Sequence, residues 1–349
     1  MGQQQRRAVK VKDLIIGGGF PVSVQTMWKK PLQQNTCQSV VKSIEALSRM
    51  GCDLLRFAVP DVASAEILGT IAQSANVPIV ADVHYDYRIA LRCMDFPIAK
   101  IRINPGNIGA LWKVEQVVRK AKDSGVAIRV GVNSGSLPPT LRREENVAAA
   151  MVKAAETELE VLLKLDFHEV VFSLKSPDPE ATIEANTRFC EQADYPLHLG
   201  VTEAGPLVPG VVKNTYVLVT LLKQGIGDTI RVSLTGSSSD ELLAGTQILK
   251  AIGEKRGGPE IVSCPKCGRA SFDVEGFLQD VQNSIHSSNK DVTIAIMGCP
   301  VNGLGEARHA DLGISGTESA VLIFRSGKVV RRVAVTDALA AFREEMEKL

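Results

Sequence analysis

Lys100-Ile101-Arg102-Ile103-Asn104-Pro105-Gly106-Asn107 and Ala127-Ile128-Arg129-Val130-Gly131-Val132-Asn133 bracket a stretch, Gly109 to Ser124, whose apolar residues recur at three- and four-residue spacing. A short β-branched run reads as a strand, the turn residues end it, and the periodic stretch reads as a helix before the next strand begins. The same unit recurs on both sides. Runs at Val22–Met27, Asp53–Val59 and Pro78–Val83 precede it, and runs at Glu169–Leu174, Pro196–Val201 and Thr229–Leu234 follow. Helical patterns lie between them, such as Ser39–Met50 and Asn146–Leu165. Eight strand–helix units over about 250 residues predict a parallel (β/α)8 TIM barrel, an α/β fold. A doubly wound sheet would give the same alternation. The count of eight, and the lack of a Gly-x-Gly-x-x-Gly turn after the first strand, favour the barrel.

The strand ends carry the chemistry, because in such barrels they form the mouth of the site. Strand two holds Arg56 and strand three ends Asp82-Val83-His84. Strand four carries Arg102 and Asn104, and strand five Arg129 and Asn133. Strand six ends at Lys175, strand seven at Thr202-Glu203, and strand eight carries Arg231, Ser233 and Thr235. Alternation places Arg102 with Asn104, and Arg129 with Gly131 and Asn133, on shared faces. Four arginines and a lysine at one rim predict a polyanionic ligand, since the guanidinium fork matches phosphate oxygens. Some of them are also expected to form inter-strand ion pairs with Asp82 and Glu203.

Composition sets limits. Lys plus Arg is 40 and Asp plus Glu 39, so no global basic field points to nucleic acid. No apolar run reaches membrane-spanning length. Met1 to Arg7 lacks an apolar core and reads as a loose tail rather than a signal peptide. The chain holds seven cysteines, an odd number, and Cys37, Cys52, Cys93 and Cys190 are scattered. They read as reduced thiols of a cytoplasmic protein.

A turn-rich linker, Gly253 to Pro259, separates a barrel domain at 1–252 from a smaller α+β domain at 259–349. The second domain is expected to have strands at Glu260–Ser263, Val292–Ile296, Ala310–Ile314, Ala320–Phe324 and Lys328–Val333. Helices are expected at Phe272–Ser284 and Thr336–Lys348. It holds Ser263-Cys264-Pro265-Lys266-Cys267-Gly268 and Met297-Gly298-Cys299-Pro300-Val301-Asn302-Gly303-Leu304-Gly305-Glu306-Ala307. Three cysteines and one carboxylate in Gly/Pro-rich turns suit a metal site with one exchangeable position. An iron-sulfur cluster fits this set. A structural zinc ribbon on a phosphate-ester-binding lyase or synthase remains the alternative, with His286 or His309 as a further ligand.

Several stretches together resemble the hydroxymethylbutenyl diphosphate synthase family of the methylerythritol phosphate route to isoprenoids, in its bacterial two-domain form. They are Val80 to Leu91, Arg102 to Gly109, Ile128 to Leu137, Leu197 to Gly205, Gly225 to Leu234 and both cysteine motifs. The resemblance implies reductive ring opening and dehydration of methylerythritol cyclodiphosphate to hydroxymethylbutenyl diphosphate by an iron-sulfur oxidoreductase. It implies a [4Fe-4S] cluster on Cys264, Cys267 and Cys299, with Glu306 as the displaceable fourth ligand. The cyclic diphosphate would be gripped by Arg56, Arg102, Asn104, Arg129, Asn133, Lys175, Arg231 and Ser233. Glu203 would stand near the departing hydroxyl, and Asp82 and His84 would help orient the substrate. Ferredoxin or flavodoxin would donate electrons singly. A homodimer with sites formed in trans is also implied, and the short linker after the last barrel helix points the same way. The sequence departs from the family pattern at Trp28-Lys29-Lys30, where small hydroxylated residues are common, and at Leu304, where proline is common.

Overall fold

The computed structural model describes residues 6–349 apart from Arg256, Lys266, Arg269, Ser287, Asn289, Pro300 and Glu318, and only the backbone of Pro105, Gly106, Asn302 and Glu306. The chain divides into two units, Met1–Lys255 and Arg256–Leu349.

The first unit opens with a hairpin, β1 (Ala8–Val11) and β2 (Leu14–Gly17). Eight strands follow: β3 (Ser23–Met27), β4 (Leu54–Ala58), β5 (Ile79–Asp82), β6 (Lys100–Ile103), β7 (Ala127–Asn133), β8 (Val170–Lys175), β9 (His198–Leu199) and β10 (Thr229–Ile230). The helices between and after them are α1 (Cys37–Arg49), α2 (Val62–Ser74), α3 (Tyr87–Cys93), the single turn α4 (Pro105–Ile108), α5 (Leu111–Ser124), α6 (Val147–Lys164), α7 (Pro179–Gln192), α8 (Leu207–Leu222) and α9 (Ser238–Ala251). All eight strands pair in parallel, in the order β8-β7-β6-β5-β4-β3-β10-β9. A parallel bridge between Phe172 and Leu197 joins the two ends of that sheet. The expected (β/α)8 barrel is therefore present.

Two of its strands are much shorter than the six-residue runs at Pro196–Val201 and Thr229–Leu234 suggest. Side chains take over the ladder there: Leu197 N–H donates to Asp228 Oδ2 at 2.8 Å, Val201 N–H to Asn214 Oδ1 at 3.1 Å, and Leu234 N–H to Glu241 Oε1 at 3.1 Å. The backbone groups remain satisfied although the regular pairing lapses.

The N-terminal reading needs correction. Arg6 and Arg7 are not loose: Arg6 Nε sits 2.8 Å from Asp228 Oδ2 with both side chains buried, and Arg7 Nε sits 2.8 Å from Asp194 Oδ2. Val9, Val11 and Ile16 of the hairpin pack on Leu54, Val80, Ala127 and Val171, inward residues at the strand starts, and on Ala99, just before β6. They close the end of the barrel opposite the mouth. The alternation Ala8-Val9-Lys10-Val11 followed by Leu14-Ile15-Ile16 carries that signal.

The second unit holds a five-stranded sheet in sequence order, β11 (Glu260–Ser263), β12 (Thr293–Met297), β13 (Leu312–Gly316), β14 (Val321–Arg325) and β15 (Lys328–Val333). The first three strands are parallel and the last two antiparallel. Helices α10 (Val274–His286) and α11 (Ala338–Glu347) cover the face carrying Ile294, Ile296, Leu312 and Ile314. Ala295 and Met297 point to the other face, against Ala307, Ala310 and Phe324. There the chain forms a short π-helical turn, Val301–Glu306. A Cβ at Gly303 would lie 2.4 Å from Ser315 Cβ, so this turn can approach the sheet only with glycine there.

Candidate active site

Period-two alternation turns Arg56, Asp82, Arg102, Arg129, Asn133, Ser173 and Lys175 into the barrel near its C-terminal rim. With His84, Val201, Thr202, Arg231 and Ser233 they line one cavity of about 110 Å³. Ladder register sets the neighbours: Asp82 pairs with Arg102, and Arg102 with Arg129.

Asp82 is the carboxylate that braces this cluster. Its Oδ1 lies 3.1 Å from Arg102 Nη1 and its Oδ2 3.5 Å from Arg56 Nε, all nearly buried. Burial alone would raise its pKa, but Arg56, Arg102 and Arg129 outweigh that and hold it below the usual carboxylate range. Arg102 Nη1 also stands 3.1 Å from His84 Nε2. Partial burial lowers the His84 pKa, Asp82 opposes, and Arg102 and Arg56 add to the lowering, so the neutral imidazole is favoured.

The cations outnumber that carboxylate. Burial brings Arg56 down to about 10, opposed in part by Asp82. Burial, then the neighbouring guanidiniums, pull Arg129 and Lys175 well below their ordinary values. Nε and Nη1 of Arg129 have no hydrogen-bond partner among the described residues. Lys175 donates a 3.3 Å bond to Leu199 O. Cations held this way, facing a cavity, favour an anion that supplies the missing countercharge. Two glycines make the room. A Cβ at Gly131 would sit 2.6 Å from Arg102 Nε, and one at Gly200, whose φ is +148°, would sit 3.0 Å from Lys175 Nζ and clash with Arg231 O.

The expected residues divide as follows. Arg56, Asp82, His84, Arg102, Arg129, Asn133, Lys175, Arg231 and Ser233 come together around the cavity. Asn104 is buried but is not part of that lining, and its carbonyl accepts the Asn107 N–H at 2.9 Å, starting α4. Glu203 is exposed, with φ at +53°, and makes no ion pair among the described residues. The expected pairing of rim arginines with Glu203 is therefore corrected: Arg231 pairs with Glu241 of α9, at 2.8 Å. Sequence reasoning also missed Ser173, which lines the cavity, and two buried groups, Lys100 and His198, on inward strand positions. Their signal was the same period-two register that marks Arg102 and Arg129.

In the second unit, Cys264 follows β11 and Cys299 follows β12, which are neighbouring parallel strands. Gly298 N–H donates to Cys264 Sγ at 3.1 Å, so backbone geometry already serves a thiolate there. Cys264 is half-buried, Cys267 exposed and Cys299 buried, and none is in a disulfide. Three thiols outside any disulfide, with an N–H donor aimed at one of them, match the donor chemistry of an iron-sulfur cluster. Among the described residues no three of His, Cys, Asp and Glu yet converge as a metal cage. The Glu306 side chain lies outside the described residues.

Fold and site together define the class: a (β/α)8-barrel protein with a cationic mouth, followed by a cysteine-bearing α+β unit. The description GcpE TIM-barrel domain matches residues 6–246, and GcpE protein C-terminal domain matches residues 260–348. The chain is 48% identical over 97% of its length to a Treponema pallidum protein named 4-hydroxy-3-methylbut-2-en-1-yl diphosphate synthase (flavodoxin), covering 89% of that protein. It is 42% identical to the Thermodesulfovibrio yellowstonii protein of the same name, over 99% of both chains. Among solved structures, dihydropteroate synthase of Xanthomonas albilineans aligns over 71% of this chain and 97% of that one, with a TM-score of 0.52 at 10% identity, a likeness of fold. The chain belongs to the GcpE family, that of the 4-hydroxy-3-methylbut-2-en-1-yl diphosphate synthases.

Proposed function

We propose that this chain is the oxidoreductase of isoprenoid biosynthesis that converts methylerythritol cyclodiphosphate to hydroxymethylbutenyl diphosphate, with flavodoxin as electron donor. The observation that carries this is the mouth, where Arg56, Arg102, Arg129, Lys175 and Arg231 face one cavity with Asp82 as the acidic group lining it. The net reaction takes up two electrons and two protons, opens the ring at a phosphate ester oxygen and releases water. Opening the ring frees a phosphate oxygen, and the guanidiniums stabilise the charge that gathers on it. They are preorganised for this by Asp82, which holds Arg56 and Arg102 apart from each other and turned inward. Ser233 and Asn133 add neutral hydrogen bonds to the same group. Neutral His84 can orient a substrate hydroxyl at the rim. Glu203 is proposed to stand near the departing hydroxyl; its exposure beyond β9 removes the burial that would keep it protonated, so it would act there through hydrogen bonding and relay of a proton from solvent.

Cys264, Cys267 and Cys299, with Glu306 as the fourth and displaceable ligand, are proposed to hold a [4Fe-4S] cluster. Such a cluster, when bound, supplies single electrons to the substrate carbon. The active species is proposed to be a cytoplasmic homodimer with each site completed in trans. Helix α9 supports this, since it starts at the mouth and carries the chain toward the closed end of the barrel before the linker. No helix among the described residues is long and apolar enough to cross a membrane.

The test is anaerobic turnover of the cyclic diphosphate with reduced flavodoxin, with iron and sulfide analysis of the same sample. Product formation by a brown protein is expected. A colourless zinc protein without turnover would refute the reading. Mixing Cys299→Ser with Arg102→Ala subunits should restore activity after exchange, and no recovery despite exchange would refute the trans arrangement.

A further inference from the structure

Glu241 lies on the first turn of α9, outside the barrel wall, with its side chain fully buried. Five donors from four residues converge on its carboxylate. Arg231 gives Nη2 to Oε1 at 2.8 Å and Nε to Oε2 at 3.2 Å. Lys29 Nζ lies 2.9 Å from Oε1, Thr26 Oγ1 donates to Oε2 at 2.8 Å, and Leu234 N–H donates to Oε1 at 3.1 Å. Lys29 spends its remaining hydrogens on Leu234 O at 2.8 Å and Gly236 O at 2.7 Å. The Lys29 position, one of the departures from the family pattern, is thus tied to the end of the eighth strand. Burial would raise the Glu241 pKa, but Arg231 and the bonds from Arg231, Lys29 and Thr26 outweigh it and keep the group ionised.

We propose that Glu241 is a positioning residue of the anion site, holding the Arg231 guanidinium by one edge so that its remaining nitrogen faces the cavity, with Thr26 and Lys29 fixing the carboxylate itself. A side-on pair of hydrogen bonds fixes the plane of a guanidinium as well as its place, which a point charge does not. The inference rests on the proposal that this cavity takes the diphosphate.

Two accounts of Glu241 predict opposite signs. If it only balances charge, removing it adds one net positive charge to the mouth, and an anion should bind more tightly. If it positions Arg231, removing it should weaken binding. The probe is inorganic diphosphate, titrated calorimetrically into the full-length protein. Glu241→Gln is expected to bind about tenfold more weakly, the loss of one charge-assisted contact. Thr26→Val, which changes no charge, is expected to weaken binding two- to threefold. In an Arg231→Met background the Glu241→Gln effect should vanish, because it acts through Arg231; a merely structural effect would persist. Unchanged or tighter binding by Glu241→Gln, with the wild-type melting temperature, would overturn the proposal. Should Glu241→Gln fail to fold, unchanged affinity in Thr26→Val overturns it instead. Failure of the wild type to bind diphosphate would overturn the cavity reading as well, a result distinct from wild-type binding with unaffected variants.

Discussion

A single methyl group at Gly131 should switch off the anion site while leaving the barrel standing. The alanine Cβ would lie 2.6 Å from Arg102 Nε and 2.8 Å from Nη2, where ordinary contact begins at 3.4 Å. The guanidinium must therefore retreat by about 0.8 Å, since it is the flexible end of the pair. That shift moves it out of its 3.1 Å alignment with Asp82 and changes the edge it presents to the cavity. One charge-assisted hydrogen bond to a ligand is worth about 1.5–3 kcal/mol, so diphosphate affinity should fall by roughly 10- to 150-fold. Stability should barely change. Replacing glycine in a strand returns about 0.5–1 kcal/mol of backbone entropy, which offsets most of the strain in Arg102. Calorimetric titration with inorganic diphosphate measures the first effect and thermal unfolding the second. Wild-type affinity in a normally stable Gly131→Ala protein would falsify the claim that Arg102 contacts the anion from beside Gly131.

Further expectations concern charge, protons and metal. Asp82→Asn leaves Arg56 and Arg102 without their shared buried partner and should cost about 3–5 kcal/mol of stability. Added diphosphate should recover much of that loss, and a melting temperature unmoved by the substitution would count against Asp82 as the brace. Because the native pKa of Asp82 is depressed, its contribution is fully present above its unfolded value near pH 4 and is lost as acid carries the pH below the native one. Burial, then the neighbouring guanidiniums, hold the Lys175 pKa well below the ordinary lysine value. A bound anion favours its charged form, so binding should take up a proton there and weaken as pH rises. Titrations in buffers of different ionisation heat should show less uptake in Lys175→Met, and equal uptake would exclude this lysine. Replacing Cys264, Cys267 or Cys299 by Ser should remove iron and colour, whereas Cys37→Ser and Cys190→Ser should keep both. Full iron content in Cys299→Ser would remove that residue from the ligand set.

What the sequence made legible was periodic. Inward strand positions such as Arg56, Arg102 and Arg129 could be read because alternation is a local rule, and local rules survive folding. Strand lengths at Pro196–Val201 and Thr229–Leu234 could not, because Asp228, Asn214 and Glu241 replace backbone partners there, and those contacts depend on how neighbouring elements pack rather than on local alternation. Glu241 itself was hidden for a related reason. At the start of a helix, after Ser237 and Asp240 of a capping box, an acid has a sufficient local explanation. Its pairing with Arg231 belongs to the packing of α9 against the barrel. The hairpin β1–β2 was legible in its alternation, but it stands outside the strand–helix repeat that organised the reading. The cysteine motifs were legible as motifs, and their spacing along the chain says nothing of how far apart the thiols stand in space.

The bond between Arg6 and Asp228 has a consequence for biosynthesis. Arg6 also donates to the carbonyl of Gly225, and Arg7 reaches Asp194, so the first described residues fasten to segments flanking the two shortest strands, β9 and β10. On the ribosome Arg6 and Arg7 must wait for a stretch made roughly two hundred residues later, at ordinary elongation rates some 10–40 s afterwards. Until then the greasy side of the hairpin, Val9, Val11 and Ile16, lacks the completed floor it will sit on. The nascent chain therefore carries an exposed sticky hairpin until those later strands are made. An affinity tag fused immediately before Arg6 would press on the place where this late fastening occurs, so recombinant yield should depend on the length of the spacer placed there.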